Sequence, residues 1–137
     1  MKINDYKVGD ELFRYVDGAG IFRYVVIGRR ERPDEVQLEV ECKTCTHGWQ
    51  CQLLLARDDR DRIVAVHMLN NDEEEDQRRW HGNEGYHFHA DAGAAKQEKV
   101  EKMISGAKER LASAKDALRA AEDRLKELQG LADGVQA

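Results

Sequence analysis

Proline is almost missing from this sequence: Pro33 is the single one in 137 residues. Chains that stay disordered usually carry more of it and lack apolar alternation, so a folded core is expected. Cysteine is scarce and clustered, with Cys42, Cys45 and Cys51 the only three. An odd, closely spaced set does not make a secreted disulfide framework, so these residues read as thiols or metal ligands in a reducing compartment. No stretch approaches the roughly 20 apolar residues of a membrane-spanning helix, and no membrane partner is expected. A basic excess is lacking too. The net charge is −5, which argues against a general nucleic-acid binder, because phosphates need neutralising cations. The opening Met1-Lys2-Ile3-Asn4-Asp5-Tyr6 has neither an apolar signal run nor an Arg/Ser-rich transit pattern, so a cytoplasmic location is expected. P-loop, dinucleotide, kinase and nucleophile-elbow motifs are all absent. No catalytic residue and no enzyme activity are therefore expected.

What is present begins with β-strand signals. Glu11 to Val16 carries Leu12, Phe13, Tyr15 and Val16, a composition suited to a strand. Val8-Gly9-Asp10 reads as its entry turn, and Asp17-Gly18-Ala19-Gly20 as a reversal. Ile21 to Ile27 is the strongest strand, and Gly28 to Asp34 reads as the next connection. Val36, Leu38 and Val40 alternate with Gln37, Glu39 and Glu41, the period of a half-buried strand. Gln52 to Ala56 and Arg62 to Leu69 complete the series. Short strands separated by turns predict an antiparallel barrel or meander, since a parallel sheet would need crossover helices. The expected fold is α+β: a β-rich head over residues 1–90, a long helix over 91–132, and a disordered tail at 133–137.

The helix has its own pattern. Val100, Ile104, Ala107, Leu111, Ala114, Leu118, Ala121, Leu125 and Leu128 are spaced alternately by four and three, a heptad seam. Asp91 is suited to cap its start, with Gly130 and Gly134 as stops. A 40-residue helix would be about 60 Å long, against roughly 25–30 Å for a head of this size. That mismatch favours packing against a second copy over folding back onto the head. The flanking charges favour an antiparallel pair, in which Lys115 can meet Glu122 of the partner copy, although Arg110 and Arg124 then approach.

The densest group for chemistry is Cys42, Cys45, His47 and Cys51. A C-x2-C step lets two sulfurs reach one zinc ion from a tight loop, and Cys51 returns on the next strand. The fourth ligand of such a structural zinc would be His47, or one of His81, His87 and His89. The favoured reading makes the cysteines small buried hydrophobes, with the structural zinc as the alternative. No cofactor is expected on that reading. The acidic run Asp72, Glu73, Glu74, Glu75 and Asp76 reads as a solvated loop or a partner-binding patch, without the spacing of a calcium loop. Trp80, His81, Tyr86, His87, Phe88 and His89 gather aromatics and imidazoles in one segment. It anchors a loop to the core, or forms a ligand pocket. His87 and His89 alternate, so on a strand they share one face. Arg29, Arg30 and Arg32, with Arg78 and Arg79, are the only phosphate-facing candidates, and interleaved acids weaken them.

Taken in order, Val8-Gly9-Asp10, Cys45-Thr46-His47-Gly48-Trp49-Gln50-Cys51, Leu69-Asn70-Asn71-Asp72-Glu73-Glu74-Glu75, the Trp80–His89 segment and the charged C-terminal helix resemble small accessory proteins of tailed bacteriophages. The resemblance implies a bacterial host cytosol and inhibition or redirection of a host protein, including a defence protein. The expected function is a self-associating protein-interaction module. The alternatives are a small-ligand or nucleotide binder using the aromatic–histidine segment, and a metal-dependent enzyme or nuclease.

Overall fold

The computed structural model describes residues 1–44, 51–69 and 86–136. The chain falls into two units, Met1–Lys99 and Val100–Ala137. In the first, five strands follow one another: β1 Glu11–Val16, β2 Gly20–Glu31, β3 Val36–Cys42, β4 Gln52–Arg57 and β5 Ile63–Met68. They pair in chain order as an antiparallel sheet, β1-β2-β3-β4-β5, curled into a half-barrel. A 3-10 turn at Ile3–Asp5 precedes them. One helix, α1 Ala92–Gln136, follows. The expected α+β arrangement of a β head and a long C-terminal helix is the one observed.

The local chemistry explains the hairpins. Gly18 and Gly20 hold φ of +77° and +98°, values a side chain resists, and the Ala19 amide donates to the Val16 carbonyl at 3.1 Å. The β4–β5 turn is built on Asp58. Its carboxylate accepts from the Arg60 amide at 3.0 Å, the Arg62 amide at 2.8 Å and the Arg62 Nε at 2.8 Å.

β2 is longer than its sequence predicts. The expected connection at Gly28 to Asp34 is instead strand as far as Glu31. The register shifts between Val26 and Gly28, so a bulge carries the strand past the glycine. Beyond it the arginines find cross-strand partners: Arg30 Nε pairs with Glu39 at 2.7 Å. Arg29 donates to the Asn4 and Tyr6 carbonyls at 2.8 and 2.9 Å. Arg30 thus ties β2 to β3, and Arg29 ties β2 to the N-terminal segment.

Alternation sends Leu38, Val40 and Cys42 of β3 inward with Leu53 and Leu55 of β4, Val26 and Tyr24 of β2, Leu12 of β1 and Tyr6. Each fully buried aliphatic side chain contributes about 1.5–3 kcal/mol. Leu54, Ala56, Val64 and Val66 form a second cluster with Leu69. β4 and β5 are thus buried on both faces, which accounts for their near-continuous apolar sequence.

Asp91 caps α1 as expected, its Oδ1 accepting from the Ala94 amide at 2.7 Å. The helix does not stop at Gly130 or Gly134. It runs through both to Gln136, beyond the expected end at 132 and into the expected disordered tail. Glycine at either position costs about 1 kcal/mol relative to alanine, too little to end a helix in the absence of a following proline. Residues Ala92–Lys99 belong to the first unit.

Candidate functional site

The edge strands of the half-barrel, β1 and β5, are bridged by two residues. Phe88 and His89 pair antiparallel with Ile63 and Phe13 respectively. The Phe88 amide donates to the Ile63 carbonyl at 3.0 Å. Phe13 and His89 exchange amide–carbonyl bonds of 2.8 and 2.7 Å. This strap follows strand alternation. Phe88 is buried in the core, 4% exposed, with its ring 5.0 Å from Tyr24 in an edge contact. His87 and His89 take the opposite side, with ring centroids 6.3 Å apart.

Between the two imidazoles lies Glu98, one turn beyond the buried Ala95 on α1. His87 Nδ1 is 2.8 Å from Glu98 Oε2, and His89 Nε2 is 2.8 Å from Oε1. The His87 amide adds a bond to Oε1 at 2.9 Å. The Glu98 side chain is 10% exposed. Burial works against its charged form. Hydrogen bonds from His87 and His89 and from the His87 amide outweigh burial and hold the carboxyl at about 2, well below the usual carboxylate range. With Glu98 ionised, both nitrogens that face it donate N–H. The donor atoms of these three residues all lie within 4.8 Å of one another. His87 and His89 also wall a cleft of about 440 Å³, with Tyr6, Asp61, Arg62 and Asp91 around it.

Tyr86 secures the start of the strap. Its ring lies 5.0 Å from Tyr15 and its hydroxyl bonds Asp17 Oδ1 at 3.1 Å. The Lys99 ammonium stands 4.5 Å from the Tyr15 ring centroid. Tyr86 and Phe88 are anchors, as one reading of the sequence had it, while His87 and His89 form a separate polar site. Sequence reasoning missed Glu98, and its cue was faint: an acid on the same helical stripe as Ala95, in a turn rich in small residues.

The other candidates divide sharply. Cys42 is buried on β3, and its amide donates to the Cys51 carbonyl at 2.8 Å, so these two residues meet across the hairpin. Cys45 and His47 lie outside the described residues, as do Asp72, Glu73, Glu74, Glu75, Asp76, Arg78, Arg79, Trp80 and His81. In the second unit every predicted seam residue is exposed: Val100, Ile104, Ala107, Leu111, Ala114, Leu118, Ala121, Leu125 and Leu128. Leu118 is 61% exposed and Leu111 and Leu125 are each 56% exposed. Leu131 is also exposed, at 62%, one position short of the next heptad site at Ala132. No helix among the described residues is long and apolar enough to cross a membrane. No family model, curated protein or solved structure matches the chain.

Proposed function

We propose that the protein is a non-enzymatic interaction module that assembles through its C-terminal helix, with a second copy of the chain as the occupant of the heptad seam. One observation carries this reading: a stripe of leucine, isoleucine, valine and alanine at strict heptad spacing is exposed along the second unit. Isolated apolar side chains on a surface need no explanation, but a contiguous stripe of this length does. A second copy is the natural occupant because the spacing is self-complementary. Alanine at every seventh position lets two backbones approach, and the leucines pack beside them as knobs in holes. An antiparallel pair centred near Leu118 brings Lys115 towards Glu122 of the partner copy, a contribution of about 0.3–0.5 kcal/mol. The head would then engage another protein. The resemblance to phage accessory proteins makes a bacterial host protein, including a defence protein, the partner class to try first.

Leu118→Asp tests the seam. An unpaired charge buried in an apolar interface costs several kcal/mol. At about 1.4 kcal/mol per tenfold, that weakens association by roughly 100-fold or more. Native mass spectrometry over a concentration series is expected to show an oligomer for the wild type and a monomer for L118D, with the β signature of the head retained. A wild-type chain that stays monomeric at the highest concentration, or an oligomer unaffected by L118D, refutes the seam.

A further inference from the structure

We propose that His87, His89 and Glu98 form a binding site for one divalent transition-metal ion, with zinc the best match. This inference does not depend on self-association: it rests on the strap and the first turns of α1, both within the unit Met1–Lys99.

The donor chemistry comes first. Two imidazoles and one carboxylate are borderline ligands that suit zinc and its first-row neighbours. Calcium and magnesium prefer sets made wholly of oxygen. Geometry comes second. Tetrahedral zinc with bonds of about 2.0–2.2 Å holds its donor atoms roughly 3.3 Å apart. Here His87 Nδ1 lies 2.8 Å from Glu98 Oε2 and His89 Nε2 lies 2.8 Å from Oε1, and with one ligand atom from each residue no pair of donor atoms exceeds 4.8 Å. Adjustments of about half an ångström to an ångström and a half therefore reach metal geometry.

Preorganisation is the third argument. The histidines sit on a strap fixed by three backbone hydrogen bonds, one to β5 and two to β1, and by the buried Phe88 ring. The carboxylate comes from a helix capped by Asp91. Rigid elements on two sides hold the donors, which is the requirement for a precise site.

Binding exchanges two imidazole N–H···carboxylate bonds for three metal–ligand bonds. Each facing nitrogen gives up its N–H proton to solvent and presents a lone pair to the ion; a ring that was neutral takes a proton back from solvent on its other nitrogen, and a ring that was protonated releases one net proton. Three protein donors leave a fourth position open. That position would be taken by water or by one further ligand.

The test uses the full chain, stripped with chelator, titrated with zinc chloride by calorimetry and read in parallel by native mass spectrometry. One equivalent of zinc is expected. Glu98→Gln and His89→Gln are each expected to weaken binding by more than the roughly 10–100-fold typical of a group that only supports a ligand. Cobalt provides a readout on the unmutated chain, so the test survives a variant that fails to fold. A nitrogen–oxygen site gives visible d–d bands without an intense thiolate-to-cobalt band in the near ultraviolet. Absence of zinc uptake overturns the proposal. So does a thiolate band, which would place the ion at Cys42, Cys45 and Cys51, and so does full affinity in a folded His89→Gln variant. None of these results bears on the helix seam, which L118D reads separately.

Discussion

Removing the Phe88 ring should loosen both edges of the half-barrel at once. The ring is buried at 4% exposure and meets Tyr24 edge-on at 5.0 Å. The Arg14 guanidinium lies over it at 4.8 Å. Phenylalanine-to-alanine changes in cores cost about 3–5 kcal/mol. Within that total the aromatic pair contributes about 0.5–1.5 kcal/mol, and the cation over the ring about 0.5–2 kcal/mol. One compensation operates. Arg14 Nε is buried with no hydrogen-bond partner among the described residues, and a cavity would admit water to it. Phe88→Ala is therefore expected at the low end, about 3 kcal/mol. Phe88→Leu, which keeps most of the volume, should lose about 1–1.5 kcal/mol. Urea unfolding at one protein concentration reads both, with an unchanged denaturant slope if the mechanism is loss of packing. Amide hydrogen exchange provides the second readout. The Phe13, Phe88 and His89 amides should all exchange faster in the alanine variant, because their partners lie across the strap. A loss below about 1 kcal/mol, or unaltered exchange at Phe13, would refute the idea that one side chain holds the two edges.

Two further predictions concern charge. Glu98 has its carboxyl at about 2 in the fold against an ordinary 4.5. Its contribution is fully present above about 4.5 and is lost as pH falls towards about 2, on the order of 3 kcal/mol. Urea midpoints of the metal-free chain measured between about pH 6 and pH 2 should fall more steeply for the wild type than for Glu98→Gln. Parallel curves would count against the hydrogen bonds that hold Glu98 between His87 and His89. Asp58 closes the β4–β5 turn with a side chain only 6% exposed. Asp58→Ala should destabilise by about 1–3 kcal/mol by orphaning the Arg60 and Arg62 donors, readable in the same urea assay.

The strands were legible because each carries its own local signal. Glu11–Val16 has β-forming side chains, Val36–Cys42 alternates, and Gly18 and Gly20 mark a reversal. The heptad stripe was legible for the same reason. β2 beyond Gly28 was not. Gly28-Arg29-Arg30-Glu31 has the composition of a turn, and only Glu39 across the sheet and the carbonyls of Asn4 and Tyr6 make it strand. Those partners are distant in sequence and invisible to a local reading. Glu98 was hidden similarly. Within Gln97-Glu98-Lys99 it looks like one more solvated helix charge. What singles it out is a pair of histidines nine and eleven residues earlier, delivered by a strap whose position depends on two strands elsewhere. The shared face of His87 and His89 could be read from alternation, but its target could not.

The strap's long sequence separation also favours one order of assembly. β1 through β5 are consecutive hairpins, so each pairing closes a short loop, the cheapest kind of contact to form from an unfolded chain. Phe13 and His89 are 76 positions apart, and their bonds have a place to form only after both edges exist. The meander can assemble by neighbour-to-neighbour zippering, with the strap as its final latch. A latch made after the rate-limiting step governs how long the folded state lasts rather than how fast it is reached. In this protein the two histidines of the cluster are carried by that latch and the glutamate by the helix that follows it, so a ligand held by all three would act on the lifetime of the fold.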